Sequence, residues 1–186
     1  MNLAFVVCLG ILAVGAQNGS ATNCPISEHK NGWELFVDPV HRFCFEYPAS
    51  YKRVQHVRKL DHFTAEGAKV IAQFESAEMR GGSGEDREHA AIILLFSEDR
   101  FHLQGLVSDA PTGVEKPPTP VHFGRFEFFK YGPGGGGVAY DDIVYLNLRG
   151  RTLRIVFDGP FDGSSKSPSE KTQQMEKEFL SSFRTF

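Results

Sequence analysis

Five consecutive residues, Glu85-Asp86-Arg87-Glu88-His89, put three carboxylates and one imidazole side by side. Such a donor set suits a hard divalent cation, so Glu85, Asp86, Glu88 and His89 are candidate metal ligands. Their spacing matches no metal motif, and the seven histidines, spread over positions 29 to 122, form neither H-E-x-x-H nor H-x-H. The segment reads first as a charged loop ahead of a buried strand. His56, Asp61 and His62 form a second, looser group of the same kind. Arg149, Arg151 and Arg154, with Lys130 as a fourth cation, offer a different chemistry. Guanidinium forks hold carboxylates and phosphates, so these four are candidate contacts for an anionic ligand or partner. The competing reading is edge-strand charge that discourages aggregation.

Other reaction centres lack their parts. Ser83 sits in Gly81-Gly-Ser-Gly-Glu85, which lacks the second glycine spacing of a nucleophile elbow and lies in a loop. The Gly132-Pro-Gly-Gly-Gly-Gly137 run has no following Gly-Lys-Ser/Thr, so it is a hairpin loop rather than a phosphate cradle. Asp141 and Asp142 are adjacent on a strand, face opposite sides and cannot share one substrate. No alternation of strands and helices supports a dinucleotide fold, and no cofactor is expected. A net charge of −3 supplies no field for nucleic acid.

The N-terminus gives an address. Leu3 to Val14 is apolar apart from Gly10, and Val14-Gly15-Ala16 supplies small residues for cleavage. This is the layout of a secretory signal peptide, too short to span a bilayer. Residues 1–16 are expected to be removed, leaving a soluble periplasmic or extracellular protein with no stable membrane span. Cys8 would leave with the leader. Cys24 and Cys44 would remain as an even pair in an oxidising compartment, closing a loop worth about 3 kcal/mol if bonded. The alternative is a buried Cys44 thiol in the strand-like Arg42–Glu46 stretch.

The elements that must position these groups are mostly strands. Residues 17–32 are polar and read as a flexible segment; residues 33–186 read as a single domain. Trp33–Asp38 and Arg42–Tyr47 form a hairpin that Pro48 ends. Ala68–Glu75 is a strand, and Ala90–Phe96 is apolar throughout, as a central strand covered on both faces requires. A short helix is expected within Glu98–Leu106, and one strand within Phe123–Tyr131. Val144, Leu146 and Leu148 share one face of the Val138–Leu148 strand, and Leu153, Ile155 and Phe157 share one face of the next. Ser167, Pro168 and Glu170 open a helix with a capping box, and Met175, Phe179, Leu180 and Phe183 line its core side. The class is α+β: an antiparallel sheet with a C-terminal helix on one face.

Phe43-Cys-Phe-Glu-Tyr-Pro48 at the first hairpin, Arg151-Thr-Leu-Arg-Ile-Val-Phe157 late in the chain and the terminal Phe179-Leu-Ser-Ser-Phe-Arg184 together resemble the PsbP-like family, which includes DcrB-like envelope proteins. The resemblance covers roughly residues 33 to 186. It implies an αβα sandwich, with a second, earlier helix on the other sheet face. It carries no shared catalytic set, and Tyr51 stands where the family has Trp. The function expected is therefore a non-enzymatic secreted or periplasmic binding or accessory protein. Its partner is expected to be another envelope or secreted protein or a small ligand. The alternatives are a small metal-assisted hydrolase built from the scattered histidines and acids, and a periplasmic inhibitor or immunity protein.

Overall fold

The computed structural model describes residues 24–54, 68–76, 91–102, 118–131, 142–158 and 170–186. Ten strands and one helix are found among them. They are β1 (Trp33–Asp38), β2 (Phe43–Pro48), β3 (Tyr51–Arg53), β4 (Lys69–Ser76), β5 (Ala91–Ser97), β6 (Thr119–Phe123), β7 (Phe126–Tyr131), β8 (Asp142–Leu148), β9 (Arg151–Asp158), α1 (Glu170–Ser182) and β10 (Arg184–Thr185). Every pairing is antiparallel. The class is α+β, as the hydrophobic patterning predicts.

The strands form two sheets rather than one. β1, β2 and β10 make a three-stranded sheet in the order β1-β2-β10, and the other seven run β3-β4-β5-β9-β8-β7-β6. β2 ends at Pro48, with one further bond to its partner from Ala49 N to Gly32 O at 2.9 Å. Two residues later Tyr51 begins β3 at the edge of the larger sheet.

Alternation on the large sheet separates two apolar faces. Ile92, Leu94, Phe96, Val144, Leu146, Leu148, Leu153, Ile155 and Phe157 look toward α1 and the small sheet. There they meet Phe36, Phe43, Phe45, Phe179, Leu180 and Phe183. Ala91, Ile93, Leu95, Ile143, Tyr145 and Val156 look the opposite way, with Phe101 and Phe129 packed against them. β5 is therefore buried on both faces, which accounts for its unbroken apolar run. The phenylalanine surplus makes the first core. Phe183 stacks on Phe43 at 5.2 Å and meets Phe126 edge-on at 5.2 Å, while Phe179 lies 4.4 Å from Phe45.

Two local expectations need correction. Phe123–Tyr131 is a hairpin rather than one strand. Phe123 pairs with Phe126 across Gly124-Arg125, and Gly124, at φ 60°, takes the place that a type II′ turn reserves for glycine. Glu98–His102, the described part of the expected Glu98–Leu106 helix, is not helical. The segment bends at Glu98-Asp99, and the Thr152 hydroxyl ties it to β9, accepting from Phe101 N at 2.9 Å and donating to Asp99 O at 2.5 Å. Among the described residues α1 is the single helix, and none lies on the face opposite to it. None is long and apolar enough to cross a membrane.

Candidate functional site: a basic end built on hairpin turns

Three hairpin turns, the segment after β5 and the C-terminal tail meet at one end of the molecule. The β1–β2 turn is organised by Asp38, a buried carboxylate whose Oδ1 accepts from the N–H groups of Val40 (2.9 Å) and His41 (3.0 Å). Its Oδ2 lies 2.7 Å from His41 Nδ1, and the His41 ring rests 3.8 Å from Phe96. This Asx-type arrangement closes a four-residue loop and leaves Arg42 in the left-handed region at φ 59°.

The β8–β9 turn is shorter. Leu148 pairs directly with Arg151, so Arg149-Gly150 forms a two-residue loop, with φ of 55° and 82°. Two positive φ angles define a type I′ turn, whose favoured first residue is Asn, Asp or Gly. Arginine occupies it here. Arg42 and Arg149 are the two non-glycine residues with positive φ among those described.

The tail joins the turns. Phe186 N donates to Arg42 O at 3.2 Å, and Arg149 Nη2 donates to Phe186 O at 2.6 Å. Arg125, from the β6–β7 turn, donates through Nη2 to Thr185 O (3.2 Å) and Thr185 Oγ1 (2.7 Å). Arg184 turns back and donates to Ser181 O at 2.9 Å, occupying a carbonyl that the helix end leaves unpaired. Phe183, fully buried among the rings of β2 and β7, anchors the whole tail.

The result is a segregated surface. Arg42, Lys69, Arg100, Arg125, Arg149 and Arg151 are all exposed at this end, against the exposed acids Glu98, Asp99 and Glu127. Glu98 is paired with Arg151 at 2.8 Å, and Glu127 lies 3.5 Å from His122. The chain is acidic overall, yet among the described residues this end has more exposed cations than acids. Fixed guanidinium forks can chelate carboxylate or phosphate oxygens in pairs.

The residues singled out from sequence fall in different places. Arg149 and Arg151 flank the β8–β9 turn and belong to the basic end. Arg154, two positions on from Thr152 and on the same sheet face, lies over the Tyr145 ring at 5.6 Å, facing away from α1. Lys130 points toward the helix and pairs with Glu176 at 2.6 Å, holding a carboxylate that is 2% exposed. The four cations therefore do not converge. Cys24 and Cys44 are bonded, with Cα atoms 6.1 Å apart. The acidic candidates Glu85, Asp86, Glu88 and His89 lie outside the described residues, as do His56, Asp61 and His62. Among the described residues no group of three or more His, Cys, Asp or Glu converges on a metal position.

Residues 24–32, the described part of the segment expected to be flexible, lie across β2. Lys30 N donates to Glu46 Oε1 at 3.0 Å, His29 Nδ1 lies 3.3 Å from the same oxygen, and Lys30 Nζ pairs with Glu178 on α1. That lysine contact, with Gln174, holds the Glu178 carboxyl below the usual range.

The topology can be placed among known structures. The solution structure of cyanobacterial PsbP (CyanoP) from Synechocystis sp. PCC 6803 superposes with a TM-score of 0.50 at 14% sequence identity, over 87% of this chain and 99% of that one. The fold is PsbP-like. No protein-family model matches the sequence, and no curated protein matches it. What the PsbP-like chain shares with CyanoP is the arrangement of its elements, and fold alone assigns no activity.

Proposed function

We propose that this protein is a non-enzymatic, secreted accessory protein that docks an acidic segment of another secreted or envelope protein on its basic end. The observation that carries the reading is the pair of left-handed arginines, Arg42 and Arg149, both hydrogen-bonded to the same tail residue, Phe186. Backbone strain at exposed positions, where Gly or Asn would fit without it, points to the side chain as the thing retained. Supporting the address are the apolar leader at residues 1–16 and the Cys24–Cys44 bond, which suits an oxidising compartment. Supporting the αβα form is the second apolar face, where Ile93, Leu95 and Val156 are fully buried on the side away from α1. A second helix over that face is part of this reading.

The test is retention on immobilised poly-glutamate over a salt gradient. The protein is expected to bind at low salt and to release as ionic strength rises. Arg42→Asn with Arg125→Gln should weaken retention by about tenfold, since two rim guanidinia each contribute up to about 1 kcal/mol. Equal retention of the variant, or preference for anionic phospholipid vesicles over the acidic polymer, would overturn the assignment.

A further inference from the structure

Beside the basic end, on the sheet face away from α1, lies a depression of about 380 Å³ lined by Arg100, Phe101, His102, Phe129 and Asn147. Its size is near the lower end of the range of about 300–1,000 Å³ found for small-molecule sites. Its wall is aromatic and fixed. Phe101 meets Phe129 edge-on at 5.4 Å and Tyr145 at 5.7 Å. Its backbone is pinned by the Thr152 hydroxyl, which binds both Phe101 N and Asp99 O. Thr152 pairs in register with Asn147, so wall and amide sit on neighbouring strands.

Asn147 carries the second observation. Its Oδ1 is buried and has no hydrogen-bond partner among the described residues. A buried carbonyl oxygen without a donor is destabilising, and native structures retain few of them. At the mouth, the exposed side chains of Arg100 and His102 flank Phe101 in sequence. Arg100 is a permanent cation. Flat apolar walls, one inner acceptor awaiting a donor and one outer cation define a ligand by complementarity.

We propose that this depression binds a small planar aromatic carboxylate that carries an N–H or O–H donor on its ring system. The ring lies against Phe101 and Phe129, the carboxylate faces Arg100, and the Asn147 amide turns to bring its Oδ1 to the donor. The depression shares Arg100 with the basic end, but its aromatic walls and the Asn147 amide belong to it alone, and the proposal does not rest on the docking of an acidic segment.

The experiment is a ¹H–¹⁵N NMR titration of the full folded protein with three probes. Indole-3-acetate has the ring, the carboxylate and the N–H; 1-naphthaleneacetate lacks the N–H; indole lacks the carboxylate. Saturable shifts are expected at Phe101, His102, Phe129 and the Asn147 side-chain amide. Indole-3-acetate should bind about tenfold more tightly than either analogue, the scale of one lost hydrogen bond or ion contact. Arg100→Gln should bring indole-3-acetate down to the level of indole. Asn147→Val should abolish the preference for the N–H while leaving 1-naphthaleneacetate bound. Equal affinity for all three probes, shifts confined to other residues, or no saturation up to the solubility limit would each overturn the proposal. The three-probe ladder on the unaltered protein decides the matter even where a variant fails to fold.

Discussion

Replacing Cys24 with serine should cost this protein about 3 kcal/mol. The bond to Cys44 closes a loop with a sequence separation of 20. Chain-entropy scaling for a loop of that length gives about 3.3 kcal/mol at 25 °C. The substitution belongs at Cys24, which is half-buried, because Cys44 is fully buried and a hydroxyl there would add a desolvation penalty of its own. Part of the strap stays attached without the bond. Trp33 N still donates to Lys30 O at 3.0 Å, Ala49 N to Gly32 O at 2.9 Å, and Lys30 keeps its place 4.4 Å over the Trp33 ring. These contacts lie at the distal end of the strap, so the loop-closure loss should be expressed nearly in full. For a domain of this size each kcal/mol moves the midpoint by about 2–4 °C, giving a drop of about 7–13 °C. The assay is paired thermal and urea unfolding with and without reductant. The unaltered protein should fall to the variant's stability when reduced, and the variant should ignore the reductant. A loss under about 1 kcal/mol, or an unaltered protein indifferent to reduction, would refute the view that residues 24–32 are tied to β2 through this bond.

Three further outcomes are expected. Arg149→Asn places the residue a type I′ turn favours and removes a strained side chain, so urea unfolding should show stability equal or raised by up to about 1 kcal/mol, while retention on poly-glutamate falls. Burial, and then the hydrogen bond to Glu34 Oε2, push the Tyr47 phenol up to about 12. Its folded-state proton therefore stabilises fully below about pH 10 and is lost as pH rises through about 12, and absorbance titration at 295 nm should lose its latest phase in Tyr47→Phe. The same bond, with Lys52, holds Glu34 below the usual carboxylate range, so that its contribution is lost as pH falls through the lowered value. Phe183→Ala removes a fully buried ring and should destabilise by about 3–5 kcal/mol in chemical denaturation.

Much of the architecture was legible because it is written in short-range periodicity. Leu153, Ile155 and Phe157 share a face, as do Val144, Leu146 and Leu148, and the described part of the terminal helix buries Phe179 and Leu180 where a 3.6-residue stripe puts them. The double burial of Ala91–Phe96 followed from an apolar run with no polar alternation. The hairpin at Gly124-Arg125 was obscured because five phenylalanine or valine side chains surround the turn and mimic one strand. The split into two sheets was invisible because pairing partners are chosen by tertiary packing, and β10 adds only Arg184 and Thr185 to Cys44 and Phe43.

The site was legible only in fragments, for a physical reason. Net charge averages over the chain, and −3 conceals an end where, among the described residues, exposed cations outnumber acids. Arg149 and Arg151 stood out because they are neighbours in sequence. Arg42 and Arg125 did not, since each is an isolated cation in a turn. What unites them is that antiparallel hairpins return to the same end of a sheet, and that the tail after Phe183 runs past all three turns. Lys130 and Arg154 looked like members of the same group by number, but period-two alternation sent one to Glu176 and the other over Tyr145.

The tail clasp has a consequence for binding. Arg149 uses one N–H for Phe186 O, and Arg125 uses one terminal nitrogen for Thr185. A guanidinium has five N–H donors, so both forks keep donors for an incoming carboxylate while the tail fixes their direction. Orientation set before contact lowers the entropy lost on binding. A flexible lysine at either position would have to be ordered by the partner itself. The strained turns and the buried Phe183 anchor are thus one device: the aromatic core holds the tail, the tail holds the guanidinia, and the guanidinia present a fixed cationic surface at the end of a PsbP-like sheet.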